Sequence, residues 1–129
     1  MRRAVAGLIT LLLCGPIWAL DSAALEDYER ALALGYDTPI LHYQVGRLCV
    51  RLANCAERGE LALEHFVAHS EGRNQAFGRY RLAQLHEQND RLEQSRAEAR
   101  AALELEPELQ DARALLERVE RKLGGSGAP

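Results

Sequence analysis

The sequence predicts an all-α protein built from repeated helical hairpins, and three observations predict it. Ala and Leu dominate the apolar residues while only 5% of the chain is aromatic, which suits short, close-packed helices better than sheets. No segment alternates apolar and polar residues for long enough to read as a strand. Sliding the chain against itself by 34 residues brings Leu48, Leu82 and Leu116 into register. The same offset sets Ala68 on Ala102, with Leu34 one period earlier, and Cys49 on Ala83, while Pro39 and Pro107 are two whole periods apart. Several coincidences at one offset mark an internal repeat. At 129 residues the chain has room for one domain.

Residues 1–19 read as a secretory signal. Arg2 and Arg3 form a basic start, Ala4 to Leu13 an apolar run, and Gly15-Pro16 a break before Ile17-Trp18-Ala19, with cleavage expected after Ala19. The apolar run is shorter than the ~20 residues that comfortably span a bilayer. An uncleaved membrane anchor is the alternative. Losing Arg2 and Arg3 leaves 14 basic against 19 acidic residues. A mildly acidic domain has no electrostatic case for binding nucleic acid.

The helical domain spans 20–123. Its first helix is expected over about Ser22 to Leu34, with Leu25, Tyr28, Ala31 and Leu32 inward. Thr38 can cap a second helix beginning at Pro39, where a missing N–H costs nothing. That helix carries Leu41, Val45, Leu48, Cys49 and Leu52 at spacings of three and four, and ends near Asn54. A third runs from about Gly59 to Glu71 with Leu61, Ala62, Phe66 and Ala68 inward, and Gly72 closes it. Asn74 caps a fourth through Ala76, Leu82, Ala83 and His86, broken at Asn89-Asp90. A fifth covers Arg91 to Glu104. Pro107 then opens a last amphipathic helix with Leu109, Ala112, Leu115, Leu116, Val119 and Leu123 inward. Residues 124–129 are Gly-rich and expected to be disordered.

With these elements placed, the chain resembles the tetratricopeptide repeat family, whose unit is a 34-residue helical hairpin. The best match is residues 76–109: Leu82-Ala83 sits where the family has Leu-Gly, and His86 takes the usual Tyr position. Ala99 and Ala102 fill the second helix, and Pro107 ends the unit. The unit at 42–75 is looser, with Leu48-Cys49 for the pair, Ala68 for the late alanine and Arg73 in place of proline. Tyr28 to Gly35 looks like the second helix of an incomplete unit, and the final helix resembles the one that closes such arrays. The resemblance implies a solenoid of about two full repeats with flanking capping helices. It also implies a concave groove that holds an extended peptide or helix of a partner. By register that groove would comprise Tyr43, Val50, Asn54, Phe77, Tyr80, Gln84, Gln88, Asp111 and Arg118. The spacings within 43, 50 and 54, and within 77, 80, 84 and 88, put each set on one helix stripe. The competing reading is that Tyr43 and Tyr80 fill the core. The basic-and-amide clamp that some family members use for a terminal carboxylate is not recognisable.

Other chemistry is sparse. His65 and His69 lie four apart on one helix, a spacing that can serve a metal, but no third ligand is evident near them in sequence. No metal or cofactor is expected. Cys49 and Cys55 would be about 9 Å apart along an unbroken helix, too far for a disulfide. If the helix ends near Asn54, Cys55 can fold back and the bond becomes possible. No nucleophile elbow, phosphate-cradling loop or supported carboxylate pair appears. The expectation is a non-enzymatic scaffold of the cell envelope, periplasmic in a Gram-negative source, with an unidentified protein partner. The alternative is a membrane-anchored structural subunit of an envelope complex that keeps its N-terminal helix.

Overall fold

The computed structural model describes residues 17–126, and these form six α-helices and no strand. They are α1 (Ile17–Ala33), α2 (Pro39–Leu52), α3 (Ala56–Ala68), α4 (Gly72–Gln88), α5 (Leu92–Leu105) and α6 (Gln110–Ser126). The all-α expectation is met among the described residues. Residues 1–16, most of the expected signal, and 127–129, the end of the expected tail, lie outside them. The expected cleavage position after Ala19 falls inside α1, and α6 runs through Gly124 and Gly125 to Ser126. No described helix is long and apolar enough to cross a membrane.

Each helix packs against the next in the chain. In addition α2 touches α4 and α4 touches α6, whereas α3 and α5 share no such contact. Helices α2, α4 and α6 therefore form one layer, and α3 and α5 the other, with α1 packed on α2. The apolar core divides in chain order to match. Leu25 of α1 meets Val45, Leu48 and Cys49 of α2 and Ala62 of α3. Val50 then joins Leu63 and Val67 of α3 to Leu82 and Leu85 of α4. Ala83, Ala99, Leu115 and Val119 close the series. No hairpin buries its apolar face alone, so each cluster borrows from the neighbouring hairpin.

Small residues let the helices approach closely. A Cβ on Gly46 would lie 2.2 Å from Cγ of Leu63, and one on Gly59 would lie 2.6 Å from Cβ of Cys49. Ser95 plays the part of Gly59 in the next hairpin: it is fully buried, and its Oγ donates to the Ala83 carbonyl at 2.7 Å. Gly59 follows Cys49 by ten residues and Ser95 follows Ala83 by twelve, because α2 ends three residues after Cys49 and α4 five after Ala83; three residues join the helices in each hairpin. The turn of the first hairpin holds the disulfide. Helix α2 stops at Leu52, Ala53 enters the left-handed region at φ 56° with its N–H bonded to the Cys49 carbonyl, and Cys55 folds back. Cys49 and Cys55 are bonded, with Cα atoms 5.2 Å apart.

The close contact of Gly59 with Cys49 accounts for the main departure from the sequence pattern. Helix α3 starts at Ala56 rather than Gly59, and the seat of Gly59 on Cys49 sets its rotation. Gly59, Ala62, Leu63, Phe66 and Val67 share the buried face. Leu61 (69% exposed) and Ala68, both expected inward, point to solvent on the opposite side. Gly72 does not close α3, which ends at Ala68; it is the first residue of α4, at φ +58°. Asn74 lies inside α4, and Glu71 occupies the cap position. Pro39 does sit in the first turn of α2, although Thr38 makes no side-chain cap bond. Pro107 stands in the turn after α5, and α6 begins only at Gln110.

The close approach at Gly46 is testable. Gly46→Ala drives a methyl into the fully buried Leu63 and is expected to cost about 1–3 kcal/mol, read as a lower urea midpoint at unchanged slope. Gly124→Ala, which meets nothing within 4 Å, is expected to leave the midpoint unchanged or slightly raised. Equal midpoints for the two variants would remove the steric account.

Candidate functional site

The layer of α2, α4 and α6 carries most of the residues that the repeat register singles out. On α2, Tyr43 is half-buried, its ring 4.9 Å from that of Phe66 on α3. Arg81 of α4 reaches it, donating from Nε to the Tyr43 hydroxyl at 3.3 Å and from Nη1 to Gln84 Oε1 at 2.8 Å. The same guanidinium lies over the Tyr80 ring at 5.3 Å. Tyr80 packs on the third core cluster, and burial, with Asp111 nearby, raises its phenol above the ordinary value. One turn further along α4, Gln88 donates to the Val50 carbonyl at 2.7 Å and ties α4 to α2. Across to α6, Glu87 accepts from Arg118 Nε at 2.7 Å and Nη2 at 2.8 Å, and from Lys122 at 3.1 Å.

An open cleft lies at one end of this layer, where the N-terminal turns of α2 and α4 flank the C-terminal end of α3. Thr38, Ile40, Tyr43, Phe66, His69 and Phe77 are among its lining residues. The carbonyls at the end of α3 are largely satisfied by the protein itself: Ser70 Oγ donates to Phe66 O at 2.6 Å and Gln75 Nε2 to Val67 O at 3.0 Å. Half-buried Tyr43 and Phe77, with exposed Ile40, supply apolar surface to a lining that is otherwise largely polar. Arg73 stands over the outer face of Phe77 at 5.5 Å.

The nine register residues thus fall into several settings. Tyr43 and Phe77 line the cleft. Tyr80, Gln84, Gln88 and Arg118 belong to the polar network beside it, and Asp111 is exposed in the first turn of α6. Asn54 stands apart, in the turn between α2 and α3 with Cys55 and Arg58. Val50 is a correction: only 6% exposed, it packs on Leu63 and Leu82 and offers the layer its carbonyl, not its side chain. The rotation of α2 that buries Leu48 and Cys49 on one side carries Val50 into the next cluster. Two residues that the register passed over organise the face, Arg81 and Glu87. Arg81 was legible as a neighbour on the stripe of 77, 80, 84 and 88; the partners of Glu87 lie on a different helix.

At the edge of the cleft, three of the four histidines gather. His42 lies as far before the Ala53–Asn54 turn as His65 lies after it, so folding the hairpin brings the rings together at 3.8 Å. His69 stacks on His65 at 4.2 Å, and its Nδ1 is 2.8 Å from the His65 carbonyl. Asp37, in the loop before α2, accepts from His42 Nε2 at 2.7 Å. That bond holds the Asp37 carboxyl below its ordinary range, while burial and then the neighbouring imidazoles lower His65. One ligand atom each from Asp37, His42 and His65 lies within 4.8 Å of the other two. The groups that join His65 here come from α2 and the loop before it, not from the sequence around His65 and His69.

Glu87 supplies a pH test. Its hydrogen bonds from Arg118, then Lys122, hold the folded-state carboxyl below its ordinary value. The resulting stabilisation is complete above the ordinary glutamate value and is lost as pH falls through the lower folded one. Glu87→Gln is expected to cost about 1 kcal/mol or less at pH 7, and in urea unfolding the gap from the parent should narrow as pH falls below the ordinary glutamate range. A gap that persists in acid would sever Glu87 from the effect.

Neither a protein-family model nor a curated protein matches this chain.

Proposed function

We propose that the chain is a short tetratricopeptide-like solenoid, exported into the cell envelope, that holds a segment of a partner protein against the layer of α2, α4 and α6. The observation that carries this reading is the cleft between the starts of α2 and α4, where half-buried Tyr43 and Phe77 and exposed Ile40 are among the lining residues. Rigid aromatic rings bind an apolar anchor with little loss of side-chain freedom. The polar network beside the cleft orders the receptor in advance, since Arg81, Gln84 and Gln88 are already hydrogen-bonded within the protein. A peptide or helix with one apolar anchor and polar flanks suits such a surface. The reading assigns no catalysis and no nucleic-acid partner. The disulfide suits an oxidising compartment.

A second reading has its own support. Helix α1 runs through the expected cleavage position and exposes Ile17 (70%), Trp18 (67%) and Leu20 (61%). A retained N-terminus would make the protein a membrane-anchored structural subunit of an envelope complex. Intact mass of the exported protein separates the two, because a chain that keeps residues 1–19 excludes the cleaved form.

The groove is tested by crosslinking in cells. Tyr43, Phe77 and Gln84 are replaced together by Ala, with circular dichroism confirming the helices, and Leu61→Ser on the opposite surface serves as the comparison. A partner captured by the parent and by Leu61→Ser, but lost by the folded triple variant, is the expected outcome. Undiminished capture by the triple variant would place binding elsewhere.

A further inference from the structure

The histidine cluster reaches beyond the peptide-binding reading and does not rest on it. We infer that Asp37, His42 and His65 form a binding site for a divalent first-row transition metal ion of the zinc class, with His69 as the fourth donor.

Geometry carries the inference. Three separate elements converge: the loop before α2 supplies Asp37, the first turns of α2 supply His42, and the second half of α3 supplies His65. Their ligand atoms lie within 4.8 Å of one another, and Asp37 Oδ1 and His42 Nε2 are already 2.7 Å apart. Donors around a tetrahedral zinc ion stand about 3.3 Å from each other, given metal–ligand bonds of about 2.0–2.1 Å. Small side-chain rotations close the gap from both sides.

A hydrogen-bonded Asp–His pair accounts for only part of the arrangement. It leaves Nδ1 of His65 buried with no hydrogen-bond partner. It also leaves His42, His65 and His69 stacked in series, which charged imidazoliums would resist by mutual repulsion. Neutral imidazole is the form that ligates a metal. A cation held at the imidazole edges uses a nitrogen of His65, directly or after a ring flip that exchanges Nδ1 with Cδ2 and Nε2 with Cε1. His42 takes part as its Nδ1–H tautomer, which turns the Nε2 lone pair toward the ion. At His69, Nδ1 donates to the His65 carbonyl, which leaves Nε2 as the nitrogen free to ligate. Bonds of that kind orient ligating histidines.

The donor chemistry selects the ion. Imidazole nitrogens with one carboxylate oxygen suit zinc, nickel or cupric ions rather than magnesium or calcium, which take oxygen ligands. Cys49 and Cys55, the cysteines of the described residues, are joined to each other and offer no thiolate. A bound ion would clamp α2 and α3 to the preceding loop beside the cleft, where His69 is a lining residue.

The test uses the untagged, disulfide-intact full chain, stripped with chelator and titrated with zinc chloride by calorimetry, with magnesium chloride in parallel. One zinc ion per chain and no saturable magnesium binding are expected. His42→Ala and His65→Ala should each weaken zinc by about tenfold or more, with circular dichroism unchanged. Imidazole NMR of the parent keeps the inference open to refutation where a variant fails to fold: zinc should move the resonances of His42, His65 and His69 and leave those of His86, buried in α4, in place. Absence of one-to-one zinc binding, undiminished affinity in both variants, or zinc shifts confined to His86 would overturn the site.

Discussion

The contact on which the rest of the structure depends is the seat of Gly59 against Cys49, locked by the Cys49–Cys55 bond. It fixes where α3 begins and how it is rotated. From that rotation follows the whole inner face of α3: Ala62 goes to the first core cluster, and Leu63 and Val67 to the second. The same rotation aims His65 at His42. A helix turned by half a revolution would bury Leu61 and Ala68 instead, strand Leu63 in solvent and separate the imidazoles.

Close packing at small residues has a consequence for the opposite layer. With Gly46, Gly59, Gly78 and Ser95 drawing the helix backbones together, the large polar side chains of α2, α4 and α6 are displaced to one surface. There they cannot bury themselves, and they satisfy one another. Arg81 bridges Tyr43 and Gln84, Gln88 reaches the Val50 carbonyl, and Glu87 gathers Arg118 and Lys122. Such partly exposed pairs contribute little stability each. Their larger effect is order: they hold the layer in one arrangement beside the cleft at its end.

Much of this was legible in the residues. The 34-residue offset and the spacing of Leu48, Leu82 and Leu116 locate α2, α4 and α6, because helix periodicity is a local property read along a single segment. Gly72 and Pro107 show the limit of local reading. Each does mark a boundary, but of the neighbouring element: a residue that breaks regular backbone fits the end of one helix as well as the approach to the next. Leu61 shows another limit. In a short helix rich in Ala, Leu and Glu, more than one face is apolar enough to bury, and composition alone does not choose between them.

The sequence by itself determined the helical class, the repeat period, the approximate span of each helix and the condition for a disulfide, namely a helix that ends before Cys55. These are properties of neighbouring residues, set by backbone preference and local spacing. Only tertiary structure decided the rotation of α3, the burial of Val50, the bridges from Arg81 and Glu87, and the meeting of Asp37, His42, His65 and His69. Each depends on the angle at which one helix is laid against another. That angle is set by where a Cβ is missing at a crossing and by how far each helix runs past that crossing.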